Sequence, residues 1–288
     1  MEELFRISRQ SSLFCSIAMR ERDFHDFLKS HSDLPFMKRP GTTALTRIFH
    51  DDMKQRDHRI NFIGEFQSVL DRPMQFGAVV AHVKLQSLSP SGTAIRTTMS
   101  ALSRQFPNPG KRMLAAVIPK DNLLSSAMHL GIGSTNILLG ADLEFSSDDN
   151  TGWDAVISQD RVYLGKSDIY KVAHHGSATA DQQRLWAKLL NPRPVCVICP
   201  ANKGSYKLPK DSDLERIHTK TDQVYLTYDY RKVGRKRFDQ VVEKTLRELG
   251  REIVPYVSGF GHVRLRGNVM PNGSVQNWSV LCNESEGE

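Results

Sequence analysis

Hydrophobic positions along the chain fall into short blocks whose spacing switches between the period of a helix and that of a strand. Residues 2–8 have the composition of a short helix, and residues 12–18 (SLFCSIA) are an apolar run of strand length in which Cys15 reads as core packing. In residues 20–30, Phe24, Phe27 and Leu28 recur at helical spacing, with His25 and Asp26 toward solvent, before Pro40 and Gly41 break the chain. Residues 42–55 predict a helix with a stripe of Leu45, Ile48, Phe49 and Met53. Up to Pro73 the pattern is mixed and predicts no element. From Val79 apolar and polar positions alternate toward Leu88, a strand running into Ser89-Pro90-Ser91. A helix over 93–105 follows, closed by Pro107, Pro109 and Gly110.

The second half is more sharply punctuated. Residues 122–130 and 136–139 predict a hairpin around Gly131-Ile132-Gly133-Ser134. Trp153, within 152–158, reads as a packing anchor. Ile169, Tyr170, Val172 and Ala173 form a short apolar strand that stops at His174-His175-Gly176-Ser177. Residues 181–190 predict a helix with Leu185, Trp186, Leu189 and Leu190 inward, and with Thr179 and Asp181 as candidate caps. A buried strand over 194–200, a helix over 211–219 with Leu214 and Ile217 inward, and a strand over 224–227 follow. Beyond them lie an amphipathic helix over 238–249 (Val241, Val242, Leu246 and Leu249) and an edge hairpin, 261–266 and 276–282, joined through Pro271-Asn272-Gly273. The acidic tail NESEGE has the composition of a disordered end. Strands interleaved with helices make the fold class α/β.

Composition narrows the setting. With 288 residues and 39% hydrophobic content the chain can bury a sizeable core. A net charge of +7 permits an anionic partner without demanding one, because 32 acidic residues are interspersed with 39 basic ones. Four cysteines are too few for a disulfide framework, and no signal-like start or membrane-length apolar run is present. The expectation is a cytoplasmic protein with no membrane contact. Arg231 to Arg237 (RKVGRKR) is the densest basic run; it suits phosphate contacts, or equally a solvated linker or an intersubunit contact, and lacks interleaved aromatics for base stacking.

Candidate chemistry concentrates at two strand ends. His174 and His175 follow one predicted strand, and Asp142 follows another, Ile137-Leu138-Leu139, after a Gly140 turn. The carboxyl edge of parallel strands is where α/β folds hold ligands and metals, so a carboxylate and an imidazole arriving there form half of a metal site. Taken singly, His174 reads as a turn cap and Asp142 as the start of the next segment. Cys196 and Cys199 have C-x-x-C spacing, but residues three apart on an extended strand point to opposite faces, so they read as packing.

NILLGADLE, SDIYKVAHHGSAT and NPRPVCVICPANKGSYKLPKDSDLERI, in this order, resemble the second half of a metallo-β-lactamase-fold hydrolase, in the branch that includes the hydrolase domain of competence DNA-uptake channel proteins. The resemblance covers roughly residues 82 to 230. It implies part of an αββα sandwich over 1–230, lacking the N-terminal metal-motif portion, with 231–288 as a basic helix and β-hairpin extension packing on it. It also implies Asp142 as a ligand bridging two ions, zinc or manganese, and His175, or alternatively His174, as a terminal ligand. His82 corresponds to the family's isolated third-motif histidine, with a structural histidine as the alternative. Ser177, Lys203, Tyr206 and Lys207 are candidate substrate contacts, although loop lysines are commonly just solvated.

Two departures matter. The family's H-x-H-x-D-H motif is absent, and His50-Asp51-Asp52 is only its nearest imitation. The chain reads as beginning just after that motif, so the two ions are expected only where a partner chain supplies the missing ligands. Leu208 stands where the family commonly has a histidine, which removes a general acid from that position. The expected function is the C-terminal portion of a split hydrolase acting on a phosphoester or other ester bond, with nucleic acid or another phosphodiester as a possible substrate. The alternative is a catalytically inactive truncated member that serves as a binding or nucleic-acid-interacting module.

Overall fold

The computed structural model describes residues 13–17, 60–103, 122–158, 165–203, 206–229, 244–245, 248–249 and 261–284. The predicted helices over 2–8, 20–30 and 42–55, the segment His50 to Asp52 and the basic run Arg231 to Arg237 lie outside these residues. So does most of 238–249, of which Leu249 is exposed.

Near the N-terminus, β1 (Leu13–Ser16) pairs in parallel with β2 (Ile60–Ile63). Cys15 on β1 is half-buried, and burial pushes its thiol pKa up. The main body is a seven-stranded mixed sheet built from β3 (Ser68–Phe76), β4 (Val79–Ser87), β5 (Met128–Ile132), β6 (Thr135–Leu139), β7 (Ser167–Lys171), β8 (Leu190–Ile198) and β11 (Val224–Leu226). Its order is β11-β8-β7-β6-β5-β4-β3. From β3 to β6 neighbours are antiparallel, and from β6 to β11 they are parallel. β3 lies in the segment whose pattern predicted no element: it is an edge strand, where polar Asp71 and Arg72 face solvent and Pro73 costs no interior ladder bond. The hairpin expected around residues 131–134 is present, but its first strand begins at Met128, because residues 122–127 take a turn.

Register sorts the sheet's side chains into two faces. On one, Leu138, Tyr170 and Cys196 stand side by side on β6, β7 and β8, each no more than 2% exposed. Among the described residues four α-helices accompany the sheet: α1 (Gly92–Ser103), α2 (Gly152–Ser158), α3 (Gln183–Leu189) and α4 (Asp211–His218). Trp153, Val156 and Ile157 of α2, Leu185, Trp186 and Leu189 of α3 and Ile217 of α4 close the core over that face. Trp186 meets Tyr170 edge to face with ring centroids 5.9 Å apart. Burial pushes the Cys196 thiol up to about 12, as befits a packing residue. On the other face Leu85, Leu130, Ile137, Ile169 and Val195 form a row across five strands, and all but Ile169 are only half-buried.

The caps expected for the helix after the histidines are corrected. Gln182 is the N-cap of α3 and makes no side-chain cap bond. Thr179 donates its hydroxyl to Glu144 instead, and Asp181 accepts from the Trp186 indole N–H and from Arg216 (2.7 Å). The described residues also form two further two-stranded sheets, β9 (Ala201–Lys203) with β10 (Tyr206–Leu208), and β12 (Gly261–Val269) with β13 (Val275–Glu284). The second is the predicted C-terminal hairpin. It contacts β11, and its tip docks on the β5–β6 turn, where Ser134 N–H donates to Gly273 O at 3.1 Å. Among the described residues no helix is long and apolar enough to cross a membrane.

Candidate metal centre

The parallel half of the sheet delivers its chemistry to one edge. β6 ends at Leu139, Gly140 turns the chain, and Ala141 at φ 47° swings Asp142 outward. β7 ends at Lys171, and Ala173 to Gly176 wind into a 3-10 turn in which His174 (φ 42°) and His175 (φ 56°) are both left-handed. Two consecutive non-glycine residues in that region store backbone strain, which persists only where surrounding contacts impose it.

Those contacts are on hand. Gly140 N–H donates to Lys171 O (3.0 Å) and His174 N–H to Ala141 O (2.9 Å), stitching the two turns together. A side chain at Gly140 would place its Cβ 2.8 Å from both Cβ and N of Ala173, so only glycine permits this approach. Beneath the turn the buried Tyr170 hydroxyl accepts from Ala173 N–H (3.2 Å). From α4, Arg216 donates to Gly176 O (2.8 Å) while paired with Asp181 (2.7 Å) and Asp213 (2.6 Å), both largely buried.

The two imidazoles have different jobs. His175 donates its Nδ1–H to Cys199 O at 2.7 Å, an arrangement that in the neutral ring puts the lone pair on Nε2, which lies 3.6 Å from Asp142 Oδ1. That gap is longer than a hydrogen bond. It suits two donors on one ion: with bonds of about 2.0–2.2 Å in tetrahedral geometry, ligand atoms stand about 3.4 Å apart. A histidine whose far nitrogen is anchored to a backbone carbonyl is the usual arrangement of a metal ligand. His174 is occupied on both nitrogens, Nδ1–H donating to Glu144 Oε1 (2.9 Å) and Nε2 accepting from the Asn122 amide at 3.4 Å. Its ring centroid lies 6.0 Å from that of His175. Of the two alternatives, His175 fits a ligand's place and His174 that of a braced neighbour.

The other expected site residues divide. His82 sits at the opposite end of the sheet, where its carbonyl accepts from Gly133 N–H in the turn before β6, about 13 Å of strand away from the Asp142 edge. It is exposed and pairs with Asp71 at 2.5 Å, so the structure does not bring it to the other donors. Ser177 is buried, with its hydroxyl engaged by Thr179, the contact of a turn cap. The backbones of Lys203 and Tyr206 pair in the β9–β10 hairpin, with their side chains outside the described part. Lys207 is exposed on that hairpin and Leu208 is buried. Cys199 takes part through its carbonyl alone and Cys196 is wholly buried, so the C-x-x-C pair shares no site.

Three residues escaped the sequence reading. Glu144, buried beside Asp142, also accepts from Asn122 N–H (3.0 Å), and it lies in the string NILLGADLE without an assigned role. Asn122 opens the segment read as a strand. Lys171 ends β7 with its ammonium donating to Val172 O (3.1 Å); burial lowers its pKa, and the charges of Cys199 and Asp142 oppose that shift. Among the described residues no group of three or more His, Cys, Asp or Glu side chains could hold a metal ion, so Asp142 and His175 stand as a pair. Comparison with protein-family models, with curated proteins and with solved structures finds no match to this chain.

Proposed function

We propose that this chain is the C-terminal portion of a metal-dependent hydrolase of the metallo-β-lactamase fold, and that its mixed sheet and helices form one half of an αββα sandwich. A partner chain carrying an H-x-H-x-D-H loop completes the site. The observation that carries the reading is the placement of Asp142 Oδ1 3.6 Å from His175 Nε2, with the other ring nitrogen pinned by Cys199 O. Bound zinc or manganese would supply a Lewis acid that lowers the pKa of a water for attack on a phosphoester or other ester bond. The chain's own residues do the positioning. Asp142 and His175 hold, Cys199 O fixes the His175 ring, and Glu144 with Arg216 stiffens the turn that carries it. Lys171, half-buried at the end of β7, places its ammonium group at this edge with Nζ donating to Val172 O, which favours an anionic substrate. The apolar row Leu85, Leu130, Ile137 and Val195, only half-buried, supports a further layer on the sheet's second face.

The test is metal content of the purified chain, alone and after co-expression with the product of the adjacent upstream reading frame. About two ions per complex, lost in Asp142→Ala, is the expected result. Two preparations equally devoid of metal would remove the reading.

A further inference from the structure

We infer that the outward face of the β12–β13 hairpin is a binding surface for a nucleic-acid backbone. The hairpin reaches from β11 to the β5–β6 turn, held there by the Ser134 to Gly273 bond. The fit at that tip is close, since a Cβ on Gly133 would fall 1.6 Å from Gly273 O. Along β12 the side chains alternate. Val263, Leu265 and Val269 are half-buried, while His262, Arg264, Arg266 and Asn268 are exposed. Residues at every second position of a strand lie about 6.7 Å apart on one face, so the two arginines and their neighbours form a straight line of donors. Across the ladder the same face continues through Ser279, opposite Arg266, and Gln276, opposite Asn268.

Charge decides the partner. No aspartate or glutamate occurs between Gly261 and Asn283. Among the described residues neither Arg264 nor Arg266 is in an ion pair, whereas Arg184, Arg193 and Arg216 each are. A repeating line of unpaired donors suits a repeating polyanion. A protein interface would need an apolar or aromatic centre. Leu281, 50% exposed opposite Arg264, is the one large apolar side chain among the described residues of this face. Two-stranded ribbons are established nucleic-acid readers, and backbone contacts of this kind carry no sequence preference. The inference does not depend on the metal site, which lies at the other end of the central strands.

The experiment is fluorescence anisotropy of the full chain with labelled mixed-sequence DNA, single-stranded and duplex, between about 50 and 200 mM salt. Arg264→Ala/Arg266→Ala is expected to lower affinity at low salt and to flatten the plot of log K against log salt by about 1.8 on duplex or about 1.4 on single strands. Arg193→Ala/Lys220→Ala removes the same charge elsewhere and should leave the slope as it is; both arginine-to-lysine changes should largely restore it. Matching circular dichroism and melting curves establish that the variants are folded. The inference is overturned if the full chain binds neither DNA form, if the ribbon variant keeps the original slope, or if the chain binds an acidic peptide in preference to both.

Discussion

Replacing Gly140 by alanine adds one methyl group at the place where the Asp142 turn crosses the histidine turn. That methyl would lie 2.8 Å from the Cβ and N of Ala173 and 2.9 Å from its Cα, where ordinary contacts begin at 3.4 Å. Two of the three atoms are backbone, tied down by the Tyr170 hydroxyl and by the neighbouring His174 N–H bond to Ala141 O, so no rotamer change relieves the overlap. The turns must separate by about 0.6 Å or more. Overpacking of this size costs about 1–3 kcal/mol. Restricting the unfolded chain returns about 0.4–1 kcal/mol, which leaves a net loss of about 1–2 kcal/mol. Urea unfolding followed by fluorescence of the buried Trp153 and Trp186 should show a lower midpoint at unchanged slope. The same displacement widens the gap between Asp142 and His175, so under the proposed reading metal retention by the complex with the partner chain should fall with stability. An alanine variant that unfolds at the wild-type midpoint would refute the argument that close approach dictates glycine here.

Other substitutions probe the supports separately. Glu144→Ala strands Asn122 N–H, His174 Nδ1–H and the Thr179 hydroxyl; it should cost about 2–4 kcal/mol in thermal or chemical unfolding, and Glu144→Gln clearly less. Arg216→Ala removes the counter-charge from two largely buried carboxylates, which keep only the Trp186 indole and the Lys210 N–H as donors, and the guanidinium donor from Gly176 O; a loss of about 3 kcal/mol is expected by urea unfolding. His129 is 3% exposed, and burial lowers its pKa, so its ring stays neutral in the fold while the unfolded chain takes up a proton below about pH 6.5. Stability from this group is therefore full above that pH and declines as pH falls toward the lowered folded value, by at most about 1.4 kcal/mol per pH unit. In His129→Leu the unfolding midpoint should show a shallower decline over that window; an unchanged pH profile would contradict the assignment.

How much of this could be seen in the sequence depends on where the physics is local. The hairpin before Asp142, the strand stopped by His174 and the apolar stripe of α3 are written in periodicity and turn residues; all three are present, although the hairpin's first strand starts only at Met128 and α3 is capped at Gln182. β3 was invisible because an edge strand carries Asp71, Arg72 and Pro73 without penalty, which erases the alternation of a central strand. The pairing of Asp142 with His175 was legible as two strand ends, since parallel neighbours deliver their loops to one edge. The resemblance placed His175 ahead of His174, but the contacts that set the two rings apart, Cys199 O and Glu144, lie 24 and 30 residues away in the chain and were not legible. His82 illustrates the converse. Its strand was read correctly, but the direction in which that strand crosses the sheet, which puts the histidine at the far end, follows from topology.

The most direct test is long-range proton–nitrogen NMR of the His175 ring in the complex of the full chain with its co-expressed partner during a zinc titration, repeated in Asp142→Ala. The expected result is a neutral ring with its proton on Nδ1, as the bond to Cys199 O requires, and a zinc-dependent shift of Nε2 that weakens strongly when the carboxylate is removed. A proton on Nε2, or a zinc response identical in the two proteins, would contradict it.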